Sequence, residues 1–375
     1  MSEVVTEVRG GVGFITLNRP QALNALSLDM VRALTVTLLA WRDDAQVQAV
    51  AIRGQGKDPA SPAGSSAFGA FCAGGDIRFF HQAALAGDPR LEDFFTEEYS
   101  LNYLVHGYPK PYIAFLDGIC MGGGMGIAGH GQTGALRIVT ERSKLAMPET
   151  HIGLFPDVGG GWFLARCPGH LGEYLALTGQ VMGSDDALAA GLADLRLEAQ
   201  ALPALWDDLA AHGMAAVTQL QARAAAGTPA ATQSELVAAR SRIDAAFALP
   251  TVPAIIAALE ADASAWAAQT AAVLRRRSPL MLHVVLEQVR RARHLGLADA
   301  LRLERGMVRH CFHTRHLGRS GAASETVEGI RALAVDKDHA PRWTPPRIED
   351  VTPAMVGPFF DSPWPAQAHP LRSLD

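Results

Sequence analysis

The first two hundred residues switch repeatedly between a strand rhythm and a helix rhythm of hydrophobic positions. Short β-branched runs at 12–17 and 47–53 have strand character. Between them, 27–44 is predicted helical. Met30, Leu34, Leu38 and Trp41 recur at three- and four-residue spacing, which sets one apolar stripe against a sheet, and Ser27 stands where an N-cap would. Residues 55–70 are mostly Gly, Pro, Ser and Ala without periodicity, a loop long enough to be functional. Helical patterning returns over 92–105. Residues 111–117 read as a buried strand running into Gly118-Ile119-Cys120-Met121-Gly122-Gly123-Gly124-Met125-Gly126, with another helix expected after that turn. Strands are expected again at 135–140 and 144–147, around Glu141-Arg142-Ser143.

Beyond about residue 200 the strand rhythm all but disappears. The chain becomes alanine-rich and helix-forming, broken by Pro229, Pro250 and Pro253. The expected organisation is therefore an α/β part over 1–200, a helical region over 201–340 and an irregular, proline-rich tail over 341–375. No repeat of fixed period is evident.

Composition narrows the classes. At 375 residues and 49% hydrophobic, the chain can bury a sizeable core and exceeds one compact domain. With 33 basic and 38 acidic residues the net charge is -5, which gives no electrostatic footprint for nucleic acid. Cys72, Cys120, Cys167 and Cys311 lack CxxC spacing and read as reduced, mostly packed thiols. The start, Met1-Ser2-Glu3-Val4-Val5, has no basic leader pattern, and the apolar stretches are too short or too charged to span a bilayer. A soluble, cytoplasmic protein without a membrane partner is expected.

The candidate chemistry centres on Glu149 and Asp157, eight residues apart in Met147-Pro148-Glu149-Thr150-His151-Ile152-Gly153-Leu154-Phe155-Pro156-Asp157-Val158-Gly159-Gly160-Gly161. Pro148, Gly153 and Pro156 keep this interval from being one helix, so loop geometry must aim both acids. Set among Leu154, Phe155 and Val158, such carboxyls are open to tuning as acid, base or nucleophile, which suggests hydrolysis. The alternative is structural: Asp157 could cap a helix starting at Val158, and Glu149 could satisfy nearby amides. The glycines at 122–124, with Gly123 as donor, and the pair Gly74-Gly75 can either form tight turns or leave amides free for a developing oxyanion. Gly124-Met125-Gly126-Ile127-Ala128-Gly129 imitates a dinucleotide fingerprint. The following acid comes too soon, however, the motif lies deep in the chain, and Glu149 and Asp157 would be left unexplained. His310, His313 and His316, taken on one helix, do not converge on a metal ion. Arg275-Arg276-Arg277 and Arg290-Arg291-Arg293 read as solvated faces, with phosphate contact as the alternative.

Taken together, Leu17-Asn18-Arg19-Pro20, Asn24-Ala25-Leu26, Cys72-Ala73-Gly74-Gly75-Asp76, Met121 to Gly124 and the stretch through Gly161 resemble the enoyl-CoA hydratase/isomerase (crotonase) superfamily. Within it the pattern is most similar to the 3-hydroxyisobutyryl-CoA hydrolase subfamily. The resemblance is strong over residues 10–195 and looser through the helical half, where Val335-Asp336-Lys337-Asp338 and Pro341-Arg342-Trp343 also match. It implies an α/β fold, a crotonase-like spiral of ββα repeats with a helical C-terminal region. It also implies an oxyanion hole from the backbone amides of Gly75 and Gly123. The hydratase branch places one Glu after the second glycine motif, where this chain has Gly126, and another at Glu149. Where hydratases commonly have glycine, this chain and the hydrolase subfamily have Asp157. The subfamily's Glu before Tyr corresponds to Glu98, taken to face the substrate's hydroxyl end. Segments 132–140 and 311–326 look longer than the subfamily's spacing, and 200–278 matches in pattern more than in identity.

The resemblance thus implies hydrolysis of a short 3-hydroxyacyl-CoA, with 3-hydroxyisobutyryl-CoA of valine breakdown as the leading substrate. Glu149 would be nucleophile or general base, and Asp157 would orient water or handle the second proton transfer. No metal or redox cofactor is expected, coenzyme A being part of the acyl-CoA substrate. Two alternatives remain: a hydratase or isomerase on the same fold, and a non-catalytic acyl-CoA-binding protein. Relatives often form trimers or pairs of trimers, which leaves a homo-oligomer open.

Overall fold

The structure, a computed structural model, describes residues 2–57, 68–130, 134–227 and 234–375. Residues 58–67 of the long loop, and 132 and 133 of the lengthened segment at 132–140, lie outside the described residues. The chain forms two compact units. The first comprises Met1–Gly75, Ser100–Ala146 and Val181–Val237; the second comprises Asp76–Tyr99, Met147–Gln180 and Ala238–Asp375. Each unit draws on chain from both sides of residue 200.

The first unit is built on a six-stranded sheet of β1 (Val4–Arg9), β2 (Val12–Leu17), β3 (Ala49–Gly54), β4 (Tyr112–Leu116), β6 (Ala135–Val139) and β8 (Leu195–Arg196), in that spatial order. Every neighbouring pair is parallel except β1 with β2. The remaining strands, β5 (Ile119–Met121) and β7 (Lys144–Ala146), pair in parallel as a small second sheet. The two strands expected around Glu141 to Ser143 therefore exist but serve different sheets. β1 escapes the sequence pattern because it is an edge strand, and Val5 through Arg9 are exposed, so no alternation marks a buried face. The helix Leu28–Asp43 follows the predicted stripe, with the Ser27 hydroxyl accepting from the Met30 amide. Leu202–His212 and Met214–Ala225 lay Trp206, Leu209, Val217 and Leu220 against Phe14, Phe115 and Ile138 of the sheet. Lone helices of this length are marginal in water, so this packing is what holds them.

The second unit is almost entirely helical. Leu171–Thr178 packs against Pro279–Ala292, whose buried face runs through Leu280, Val284, Gln288 and Ala292. A ring cluster of Phe80, Phe94, Phe95, Tyr99 and Phe312 joins three further helices. The tail beyond 340 carries only short turns such as Ile348–Asp350 and Pro353–Val356. Among the described residues no helix is long and apolar enough to cross a membrane.

Candidate active site

Both glycine segments meet inside the first unit. Residues 72–75 are clamped on one side by the turn before Ser27 and on the other by β5. Ala73 N donates to Leu23 O at 3.0 Å and Leu26 N to Gly74 O at 2.8 Å, while Met121 N donates to Cys72 O at 2.9 Å. Asn24, buried with φ 56, ties its side-chain amide to Ala70 O at 2.7 Å and Gln55 O at 3.1 Å. The approach is close enough to require glycine. A Cβ on Gly124 would stand 2.4 Å from Cys72 O, and one on Gly74, already at φ +100, would lie 3.2 Å from Met121 O and 3.6 Å from Gly123 N. The expected helix after the turn is there but short, Gly123–Ile127, and Gly123 is its first residue. An amide at that position has no intrahelical acceptor. Among the described residues no acceptor meets the Gly75 or Gly123 amide.

The acids come together inside the second unit. Asp88 opens the helix Arg90–His106 by accepting from Arg90 N at 3.0 Å. Spacing by four places Glu98 above Phe94 and Tyr99 above Phe95, so both polar residues turn inward with the aromatic cluster. Glu149 starts the 3-10 turn Glu149–Ile152, which Gly153 ends in the left-handed region at φ 65. The turn is pinned by Thr150 Oγ1 to Leu177 O at 3.2 Å and by Thr326 Oγ1 to Gly153 O at 2.7 Å. Asp157 follows on the loop. Its Oδ2 accepts the Tyr99 hydroxyl at 2.8 Å. The capping alternative for Asp157 does not hold, because the next helix, Gly160–Leu164, has Gly159 at its N-cap and no side-chain cap.

Burial sets the electrostatics. Glu98 is 1% exposed, Glu149 6% and Asp157 5%. Burial, then the charges of Asp157 and Glu149, raise Glu98 well above the usual carboxylate range. Glu149 is likewise raised by burial and by Asp157, with partial relief from its own amide. Asp157 rises only to about 6, because the Tyr99 hydroxyl and its own amide oppose the burial. Burial and mutual repulsion thus push the three carboxyls above their ordinary range, while the Tyr99 hydroxyl favours the charged form of Asp157. Among the described residues Glu98 Oε1 and Glu149 Oε2 have no hydrogen-bond partner. Buried oxygens of this kind normally find one.

Two neighbours of the acids were not legible as site residues. Glu304, 1% exposed on Leu297–Phe312, accepts from Gly159 N at 2.7 Å and Gly161 N at 3.0 Å. Gln288 Nε2 reaches Glu304 Oε1 at 3.2 Å and Pro156 O at 2.7 Å. Burial raises Glu304 to about 8. A signal did exist: Leu297, Leu301, Val308 and Cys311 form an apolar stripe that Glu304 interrupts, and Gln288 interrupts another.

Other candidates resolve differently. Leu297–Phe312 ends before His316, so helical spacing does not govern all three histidines. His310 and His316 rings lie 5.1 Å apart, His310 bonds Asp361 O and His313 bonds Glu92. Among the described residues no group of three metal-ligating side chains is placed to hold an ion. Arg275, Arg276, Arg291 and Arg293 are exposed, as a solvated face requires, while arginines of the runs also tie chain segments together. Arg277 is buried on Thr178 O, Arg290 holds the carbonyls of Phe247, Leu249 and Pro250, and Arg293 pairs with Glu173. A cavity of about 440 Å³ lined by Val252, Pro253, Leu286, Val356 and Phe360 contains none of the acids above.

A family model described as enoyl-CoA hydratase/isomerase matches residues 12–360. The chain is 38% identical to "3-hydroxyisobutyryl-CoA hydrolase, mitochondrial" of Xenopus tropicalis, over 94% of this chain and 87% of that protein. It is 37% identical to "Probable 3-hydroxyisobutyryl-CoA hydrolase 3" of Arabidopsis thaliana, over 96% and 92%. Among solved structures, one titled a carnitinyl-CoA dehydratase from Mycobacterium thermoresistibile superposes with a TM-score of 0.85 at 37% identity, covering 100% of this chain and 99% of that one.

Proposed function

The chain belongs to the enoyl-CoA hydratase/isomerase family, and from that membership we propose that it hydrolyses 3-hydroxyisobutyryl-CoA. Water adds across the thioester, the carbon–sulfur bond breaks, and 3-hydroxyisobutyrate and coenzyme A leave. The observation that carries this reading is the buried set of Glu98, Glu149 and Asp157, with Tyr99 holding Asp157, in a chain that has glycine at 126.

In the proposed mechanism the Gly75 and Gly123 amides hold the thioester oxygen as it becomes an oxyanion, each contributing about 3 kcal/mol of transition-state stabilisation. Glu149, as its carboxylate, acts in one of two ways. As nucleophile it forms a mixed anhydride that water cleaves; as base it takes a proton from water that attacks directly. Asp157, its charged form favoured by the Tyr99 hydroxyl, orients that water or carries the second proton. Glu98 Oε1 meets the substrate's hydroxyl. The thiolate is a good leaving group, and the route calls on no metal or redox cofactor, coenzyme A entering as part of the substrate.

The dehydratase title of the similar structure favours a second reading, water addition or elimination on this fold. Incubation with crotonyl-CoA and with 3-hydroxyisobutyryl-CoA, following alkene absorbance and free thiol separately, decides between them. Thiol release from the hydroxyacyl ester is the expected result; its absence from every hydroxyacyl-CoA tried sinks the hydrolase. A non-catalytic binder would hold the esters without consuming them. The same proposal places the step in valine breakdown and in a reducing compartment, since Cys72, Cys120, Cys167 and Cys311 are buried and none is in a disulfide. Our reading keeps the cytoplasm, although the Xenopus relative is named mitochondrial. A homo-oligomer also belongs to the proposal, and light scattering reads it.

A further inference from the structure

The reaction proposed above uses three buried acids and leaves a fourth unused. Resting on that reading, we infer that Glu304 is a positioning residue for Asp157, its carboxylate and Gln288 together tying down the 156–161 turn on both sides of the acid.

The geometry is convergent. Before Asp157, the Pro156 carbonyl accepts from Gln288 Nε2 at 2.7 Å. After it, the Gly159 amide meets Glu304 Oε2 at 2.7 Å and the Gly161 amide meets Oε1 at 3.0 Å. Gln288 and Glu304 are themselves joined at 3.2 Å, so both sides of the turn hang from one linked pair. Three N–H donors thus point at the two oxygens of one carboxyl group. Closing the helix start alone would need only a nearby Ser or Asp; here the acceptor arrives 143 residues later in the chain.

The turn has reason to need this support. Val158, next to Asp157, sits at φ 56, where a β-branched residue is held only by its surroundings. A Cβ on Gly161 would lie 2.8 Å from Gln288 Nε2 and 3.1 Å from Glu304 Oε1, so a side chain there would displace the pair. Tyr99 thus holds the Asp157 side chain, and the Gln288–Glu304 pair holds the backbone on either side of it at Pro156, Gly159 and Gly161.

The test uses the full-length protein and 3-hydroxyisobutyryl-CoA hydrolysis read by thiol release. Glu304→Gln keeps the shape but turns an amide donor toward backbone donors, so kcat is expected to fall roughly 10- to 100-fold, the scale of an ångström-sized misplacement, with KM within about twofold. Gln288→Leu, which removes an uncharged group, gives a smaller loss of the same kind and serves if Glu304→Gln does not fold. In an Asp157→Asn background, Glu304→Gln should change kcat less than about twofold, because residues acting through one another are not additive. Folded Glu304→Gln with native kcat, or full additivity with Asp157→Asn, overturns the inference while leaving the hydrolase standing. Native protein that releases no thiol overturns the hydrolase, and the inference with it.

Discussion

Tyr99→Phe removes a single oxygen from the acid cluster, and its effect can be worked out in advance. The hydroxyl donates to Asp157 Oδ2 at 2.8 Å, and both groups are buried. A hydrogen bond to a charged acceptor is worth about 1.5–3 kcal/mol, equivalent to roughly 1 to 2 pH units in the ionisation of Asp157. Without it, Asp157 should move from about 6 to roughly 7 to 8. The kcat/KM profile for thiol release should show its lower acid-side break displaced upward by that amount. At pH 5 the variant should be about 10- to 100-fold slower than wild type, converging with it in the alkaline range. Stability gives an independent reading. The folded pKa of Asp157 lies above the ordinary aspartate value of 3.8, so its contribution is full below about pH 3.8 and is lost as pH rises through about 6. In the variant that loss runs to higher pH, so the gap in thermal midpoint between variant and wild type should widen from pH 5 to pH 8. An unmoved acid limb together with a pH-independent gap in stability would refute the claim that Tyr99 tunes Asp157.

Three further outcomes follow from the same geometry. Glu149→Gln should lower kcat by about 10²- to 10⁴-fold while ester binding, measured by calorimetry, persists; turnover at the native rate removes Glu149 from the mechanism. Glu98→Ala should erase most of the preference for a 3-hydroxyacyl ester over its deoxy counterpart, a change of roughly 1–3 kcal/mol in relative kcat/KM, and an unchanged preference places the hydroxyl elsewhere. Gly124→Ala should cut kcat by about 10²-fold or more through displacement of the Gly123 amide, since its Cβ would meet Cys72 O at 2.4 Å. Native kcat in folded Gly124→Ala would argue against that amide as an oxyanion donor.

Local rhythm made much of the fold readable. The helix after Ser27 follows a stripe its own residues carry, and β2, β3, β4, β6 and β7 announce themselves through runs of β-branched and apolar residues. β1 did not, because its outward side chains lack a buried face to alternate with. The glycine clusters were legible for a related reason. Positive φ at Gly74 and close backbone approach at Gly124 exclude side chains outright, so the residue type itself records the constraint.

What only the tertiary structure decided is which partner each polar group found. Nothing local distinguishes Asp157 as a helix cap from Asp157 as an acceptor for Tyr99, 58 residues earlier; burial of the Tyr99 hydroxyl against it settles the matter. Nor does spacing show that Glu304 would take the helix-start amides that Asp157 was free to take. The reason is physical. A hydrophobic stripe is written in residues that share one helix or strand, whereas a buried polar network is satisfied by whichever donors the folded chain brings within hydrogen-bonding distance, from any distance along it. The sequence by itself therefore determined most of the helices and strands and the glycine turns, and it singled out Glu149 and Asp157. The upward shift of their pKa values, with Tyr99 favouring the charged form of Asp157, came from the burial and contacts that packing imposed.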